Sequence, residues 1–138
     1  MDARQRLSAA GLRRTAARVL VTERMVAEGR PLTPAGICEA LPELDRVTVY
    51  RTLASLEGAG LAHKVQGLDG AWRYCIDDSE ISGCPGGHPH LLCTRCGAMA
   101  CLLGQGLPWV AVPEGFAVQG KQLVVHGICA SCAAAGAR

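Results

Sequence analysis

Four of the chain's eight cysteines form two Cys-x-x-Cys pairs, Cys93-Thr94-Arg95-Cys96 and Cys129-Ala130-Ser131-Cys132. Two residues between cysteines let both sulfurs of a tight turn point at one ion. Two such turns complete a tetrahedron of four thiolates, the arrangement Zn²⁺ takes in structural sites. The 32 residues between Cys96 and Cys129 exceed the usual zinc-ribbon gap, so a small folded segment must fit between the knuckles. Two independent redox pairs are the competing reading. A shared structural zinc is favoured because two pairs at this spacing are hard to explain otherwise.

A chain of 138 residues holds one ordinary domain or two small ones. It is 49% apolar and 19% charged, which excludes wholesale disorder. Its aromatics are only Tyr50, Trp72, Tyr74, Trp109 and Phe116. Cores built on Leu, Val and Ala in domains this small are marginal without a staple. The same scarcity argues against a single-stranded nucleic-acid platform, which needs aromatic faces for base stacking. No apolar run is long enough to span a membrane. The N-terminus, MDARQRLSAAGLRR, lacks the apolar stretch of a secretory leader. The expected compartment is therefore the reducing cytoplasm, where cysteines serve as metal ligands or reactive thiols.

Charge divides the chain. Residues 1–74 carry eleven Lys/Arg and eight Asp/Glu, net +3, and residues 75–138 carry three and four, net −1. In the basic half, a weak helical pattern over 2–10 ends at Gly11. Thr15 caps a second helix that ends near Gly29, Thr33-Pro34 opens a third that runs to about Leu41, and a fourth starts after Asp45 and ends at Gly58 or Gly60. Residues 61–66 and 71–76 read as strands around a Gly67-Leu68-Asp69-Gly70 turn. Helices followed by a hairpin is the winged helix-turn-helix order. The expected fold is α+β: a winged-helix DNA-binding domain over 1–76, a polar linker over 77–87, and a small α/β metal-binding domain over 88–138. In the last segment, His90–Cys93, Ala98–Leu102, Phe116–Val118 and Gln122–Gly127 are expected as strands, and Pro108 and Pro113 leave little room for a long helix.

His88-Pro89-His90 precedes the first knuckle. Alternate residues of an extended segment point to one side, so both imidazoles can meet one ion. A solvated surface pair is an equal reading for two histidines alone. Cys75 and His63, one on each strand of the hairpin, add donors. A cluster of His63, Cys75, His88 and His90 would join the two halves through one ion. Cys38 falls within a helix and reads as a small apolar residue.

On the fourth helix, Val49, Leu53 and Leu56 share one face, with Thr48, Arg51 and Ser55 opposite and Tyr50 on the flank. Such a face offers donors to base edges and phosphates, although an ordinary solvated helix face looks the same in isolation. The preceding helix and the following hairpin favour DNA. Lys64 on the hairpin is a candidate phosphate contact, and Arg14, within the arginine-rich first 30 residues, joins the DNA-contacting set.

TVYRTL (48–53), LEGAGLAHKV (56–65), HPHLLCTRCG (88–97) and HGICASC (126–132) together make the chain similar to the ferric uptake regulator family, over roughly residues 8–132. The resemblance implies an N-terminal winged-helix domain, a C-terminal dimerisation domain, a homodimer and a metal-dependent repressor. Its zinc uptake branch places the sensing site at the hinge. Cys75, His88 and His90 match one version of that site. His63 matches another, whose acidic ligand five residues past the knuckle is Cys101 here. The pattern also departs elsewhere: the linker is long and brings Cys84, the segment between the knuckles is short, and a secondary site keeps only His126, with Gly87 and Pro89 at its other positions.

Iron(II), manganese and nickel sensing favour nitrogen and oxygen donors, whereas a site containing Cys75, with Cys101 or Cys84 as alternates, is softer and suits four-coordinate Zn²⁺. The expected function is zinc-dependent repression of zinc-uptake genes at a palindromic operator in double-stranded DNA, with one structural and one regulatory zinc per subunit. An iron- or peroxide-responsive regulator of the same family is the alternative, and a zinc-thiolate redox protein a more distant one. An enzyme is not expected: no histidine is followed two places on by Glu, as a zinc deaminase requires, and four thiolates on one ion leave no position open for water.

Overall fold

Every helix of the N-terminal half begins at a side-chain oxygen that satisfies its first turn. In the computed structural model, which describes residues 2–76, 88–102 and 104–136, the Asp2 carboxylate accepts from the Gln5 N–H at 2.8 Å and the Gln5 side chain accepts from the Asp2 N–H at 2.9 Å. This reciprocal pair starts α1 (Ala3–Ala9). Thr15 caps α2 (Ala16–Glu28), which ends at Gly29 in the left-handed region, φ +62°. Thr33 caps α3 (Pro34–Ala40) and Asp45 caps α4 (Arg46–Gly58).

Two units result, Met1–Asp77 and Asp78–Arg138. In the first, Leu7, Val21, Ile37, Val49, Leu53 and Leu56 are essentially inaccessible and form the core between the helices. Each such aliphatic side chain contributes about 1.5–3 kcal/mol of burial energy. Cys38 is half-buried against this core.

Strands β1 (Ala62–Gln66) and β2 (Trp72–Ile76) pair antiparallel behind α4. Leu32 extends the ladder: its N–H donates to the Tyr74 carbonyl at 2.9 Å and its carbonyl accepts from the Tyr74 N–H at 2.7 Å. The hairpin is thereby tied to the segment between α2 and α3. At its tip Arg73, nearly inaccessible, grips the Asp69 carboxylate with two hydrogen bonds of 3.1 and 2.9 Å.

In the second unit, β3 (His90–Cys93) pairs antiparallel with β4 (Met99–Cys101) and parallel with β5 (Val124–Gly127), in the order β4-β3-β5. A parallel neighbour demands a long crossover, and residues 102–123 supply it. That topology accounts for the wide gap between the knuckles. Cys129 caps a short α5 (Ala130–Ala134), an element the sequence reading did not place.

One expected strand is absent. Phe116–Val118 carries no ladder, and Phe116 and Val118 are 63% and 51% exposed. An apolar extended run becomes a strand only beside a partner edge, and among the described residues none is offered. The expected linker 77–87, with Cys84 and Gly87, lies outside the described residues. Among the described residues, no helix is long and apolar enough to cross a membrane.

Candidate metal centres and nucleic-acid interface

The two knuckles meet because β3 and β5 run side by side. Thr94 N–H donates to the Gly127 carbonyl at 2.8 Å, which fixes the first knuckle to the strand leading into the second. Cys93 Sγ lies 3.9 Å from Cys132 Sγ, Cys96 Sγ lies 4.0 Å from Cys129 Sγ, and all four sulfurs fall within 4.8 Å of one another. A tetrahedral ion at a Zn–S bond of ~2.3 Å has sulfur–sulfur edges of ~3.8 Å, so the set fits zinc.

The electrostatics agree with that donor set. Backbone N–H groups of Cys96 and Cys129 both point at Cys93 Sγ, at 3.4 Å each, and hold its thiol down to about 6. Cys132 is pushed up to about 12, chiefly by its hydrogen bond to the Cys129 sulfur, then by burial. Four thiolates this close ionise together only around a cation.

A second group lies on the same sheet. His88, His90 and Cys101 place their donor atoms within 4.8 Å of one another. His90 stands opposite Cys101 in the β3–β4 register, and the His88 and His90 rings are 4.8 Å apart at 46°. Both histidines are buried. His63 and Cys75 are opposed in the β1–β2 register, so their side chains share one face of the hairpin. Of the four expected ligands, His63 and Cys75 belong to the first unit and His88 and His90 to the second, where Cys101 stands beside the two histidines. His126 sits exposed on β5, opposite Leu92.

On α4 the buried side is Val49, Thr52, Leu53 and Leu56, and the exposed side is Arg46, Val47, Tyr50, Arg51 and Ala54. The solvent face is therefore rotated from the expected one. Thr48 and Ser55 are half-buried on its flank, because the N-terminal turn leans on Asp45 and Ser55 accepts from Arg18 Nη2 at 3.5 Å. Arg46, which the sequence reading passed over, lies over the Tyr50 ring at 5.5 Å and donates to its hydroxyl at 3.5 Å. The i, i+4 spacing of an arginine and a tyrosine just after a cap was the signal available. Lys64 packs over Trp72 at 4.8 Å and pairs with Glu57 at 3.7 Å. Arg14 is exposed.

A capped helical trio, an exposed arginine-and-tyrosine helix and a short wing, followed by a thiolate-rich sheet, define a winged-helix transcription regulator that carries metal-binding groups. The chain belongs to the ferric uptake regulator family, whose model matches residues 9–103. It is 30% identical over 139 residues to the transcriptional regulator FurA of Mycobacterium tuberculosis, spanning 95% of this chain and 90% of that one. Its fold is similar to the crystal structure of the Vibrio cholerae ferric uptake regulator, with TM-score 0.67 and 19% identity over 93% of this chain and 100% of that one. It is also similar to a zinc uptake regulator complexed with zinc and DNA, with TM-score 0.63 and 22% identity over 99% and 93%. The protein is a transcriptional regulator of this family and not an enzyme.

Proposed function

We propose that the protein is a zinc-responsive repressor in which zinc is the corepressor for zinc-uptake genes. The observation that carries this reading is the softness of the second donor group: two imidazoles and a thiol, where an iron or manganese site would use nitrogen and oxygen. The similar zinc uptake regulator bound to zinc and DNA supports it. In this reading residues 1–76 bind DNA, 77–87 form the hinge, and 88–138 dimerise and hold metal in the cytoplasm. Each subunit holds one structural zinc at Cys93, Cys96, Cys129 and Cys132, and one regulatory zinc at the hinge.

Bound zinc supplies a cross-link of fixed geometry and no reactive group. His88 and His90, with Cys101 beside them, would hold the regulatory ion from one domain, and His63 and Cys75 would extend donors from the hairpin of the other. Ligation from both sides would restrict the angle at which the wing and α4 are presented. Arg51, Arg46 and Tyr50 then reach base edges and phosphates while Lys64 and Arg14 neutralise backbone charge. Metal that binds better in the DNA-competent state raises DNA affinity, and DNA raises metal affinity by the same factor.

The dimer is supported by apolar surface that water would otherwise wet. Trp109, Val110, Val112, Phe116 and Val118 line a groove of about 470 Å³ on the β4–β5 crossover, with Trp109 84% exposed. Exposed apolar side chains gathered in this way mark interaction sites on soluble proteins. A second copy of the chain covers it, and the two α4 helices then address the halves of a palindrome.

Selection from a pool of random duplexes tests the proposal. Zinc-loaded protein should enrich a palindrome, and protein stripped of its labile metal should enrich none. Because the Mycobacterium tuberculosis relative is named FurA, an iron(II)-responsive regulator is the second reading. Enrichment with iron(II) in place of zinc would establish it.

A further inference from the structure

We infer that Cys101, rather than Cys75, supplies the sulfur to the His88–His90 pair, so that these three residues bind a thiophilic divalent ion within the second unit by themselves. The inference deepens the reading of a regulatory site at the two histidines and rests on it.

The backbone assembles the trio before any ion arrives. His90 and Cys101 are cross-strand partners on β3 and β4, so their side chains leave the sheet on one face. His88, at a bend two residues before β3, brings its donor atom within 4.8 Å of those of His90 and Cys101. Leu102 N–H donates to the Pro89 carbonyl at 2.9 Å, and His90 N–H donates to the Leu123 carbonyl at 3.0 Å. These bonds fix the segment carrying the histidines to the strands on either side. His88 is 5% and His90 2% exposed, while Cys101 is half-buried, so the group opens to solvent on the cysteine's side. Three donors within 4.8 Å make a three-point clasp with a fourth position left for water or a further residue.

Cys75 stands differently. It belongs to the other unit, is paired across the hairpin with His63, and directs its thiol to the Ile76 carbonyl at 3.7 Å. Its ligation depends on the arrangement of two units, whereas that of Cys101 depends on one hydrogen-bonded strand pair. The sensing site then fills first within the second unit, and donors from the hairpin join it afterwards.

The test uses full-length protein that retains one zinc per chain at the four cysteines, titrated with Co²⁺. Parent protein should develop a sulfur-to-cobalt charge-transfer band as the second site fills. Cys75→Ser should keep that band. Cys101→Ser should lose it and bind cobalt more weakly by at least the roughly ten- to hundredfold that losing a mere supporting group of a metal ligand costs, with the retained zinc unchanged. Cys101→His guards against a folding defect: it should bind cobalt and show ligand-field bands without the sulfur band. Loss of the band in Cys75→Ser, or its persistence in Cys101→Ser, would overturn the inference. If the cobalt results hold but zinc leaves DNA binding unchanged, the assignment of Cys101 stands and the zinc-repressor reading falls.

Discussion

His90 and Cys101 face each other across the antiparallel β3–β4 pair. The same relation recurs in the hairpin, where His63 faces Cys75. Each unit therefore carries its own nitrogen–sulfur couple. The two should respond differently to mutation. Cys75→Ser should leave metal uptake by the second unit intact while zinc-stimulated DNA binding is lost or requires far more zinc. Fluorescence anisotropy with a selected duplex, run beside zinc analysis, separates the two effects. A Cys75→Ser variant that responds to zinc like the parent would remove the hairpin from the mechanism.

The four-cysteine site should be nearly inert, because no preformed site exists in the unfolded chain and metal binding there is also folding energy. Its staple matters here: apart from His88, Pro89 and His90, only Leu92, Cys93 and Met99 are buried among the described residues of the second unit. Saturated protein should hold two zinc ions per subunit, and mild chelation should remove one without dissociating the dimer. Cys93→Ser should yield unstable or aggregated protein. Finding a single zinc at saturation contradicts the two-site account.

Arg51→Ala should cost about 1–3 kcal/mol at the selected duplex and relax preference at one base pair, provided the guanidinium reads guanine with two hydrogen bonds. Arg46→Ala should also weaken binding, since it removes the cation resting on Tyr50. Lys64→Ala should weaken all duplexes alike and lower the salt slope by about one. Its ammonium is already shared with Glu57 and Trp72, so the loss should be the mildest of the three. Quantitative mobility shifts at several salt concentrations read all of these.

The wing tip should tolerate little change at Gly67. A Cβ there would run into Arg73 Nη1 and lie 2.7 Å from Asp69 Oδ1, and Arg73 is locked by its two bonds to Asp69. Gly67→Ala should destabilise the N-terminal unit by about 1–3 kcal/mol, as overpacking does. Asp69 also confers a pH dependence. The Arg73 guanidinium, helped by the Ala71 N–H, holds its carboxyl down to about 2 from the ordinary 3.8. A carboxylate depressed in the folded state stabilises above the unfolded value and loses that contribution as pH falls through the folded value. The contribution is therefore full well above about pH 4 and is lost progressively as pH falls through about 2. Asp69 is half exposed, so Asp69→Asn should cost less than about 1 kcal/mol and flatten the acid limb of a thermal-melt profile.

Most of the fold is legible because the punctuation is strong. Asp2, Thr15, Thr33-Pro34 and Asp45 announce their helices, and Gly67 to Gly70 announces the hairpin. The four-cysteine site is legible because its spacing carries the chemistry. Phe116–Val118 misled because alternating apolar character describes a buried edge without saying who buries it. The face of α4 was rotated because Thr52, polar in the sequence, turns inward and donates to the Thr48 carbonyl at 2.7 Å. The strands expected over His90–Cys93 and Ala98–Leu102 already set His90 opposite Cys101, as His63 stands opposite Cys75, and donor type alone does not choose between the two cysteines. Ligation, contacts with DNA and pairing of subunits join separate molecules or units, so the sequence writes them in donor types alone.

If the proposed function holds, zinc, and not iron or manganese, drives operator binding. The most direct measurement is the dissociation constant for the selected duplex with protein that retains only its four-cysteine zinc, titrated in parallel with Zn²⁺, Fe²⁺ and Mn²⁺ under anaerobic conditions. Zinc should tighten binding at the lowest free metal concentration, by a factor of about 5–150 as linked sites typically do, and iron and manganese should act only at far higher concentrations. Equal or stronger tightening by iron(II) would contradict the account.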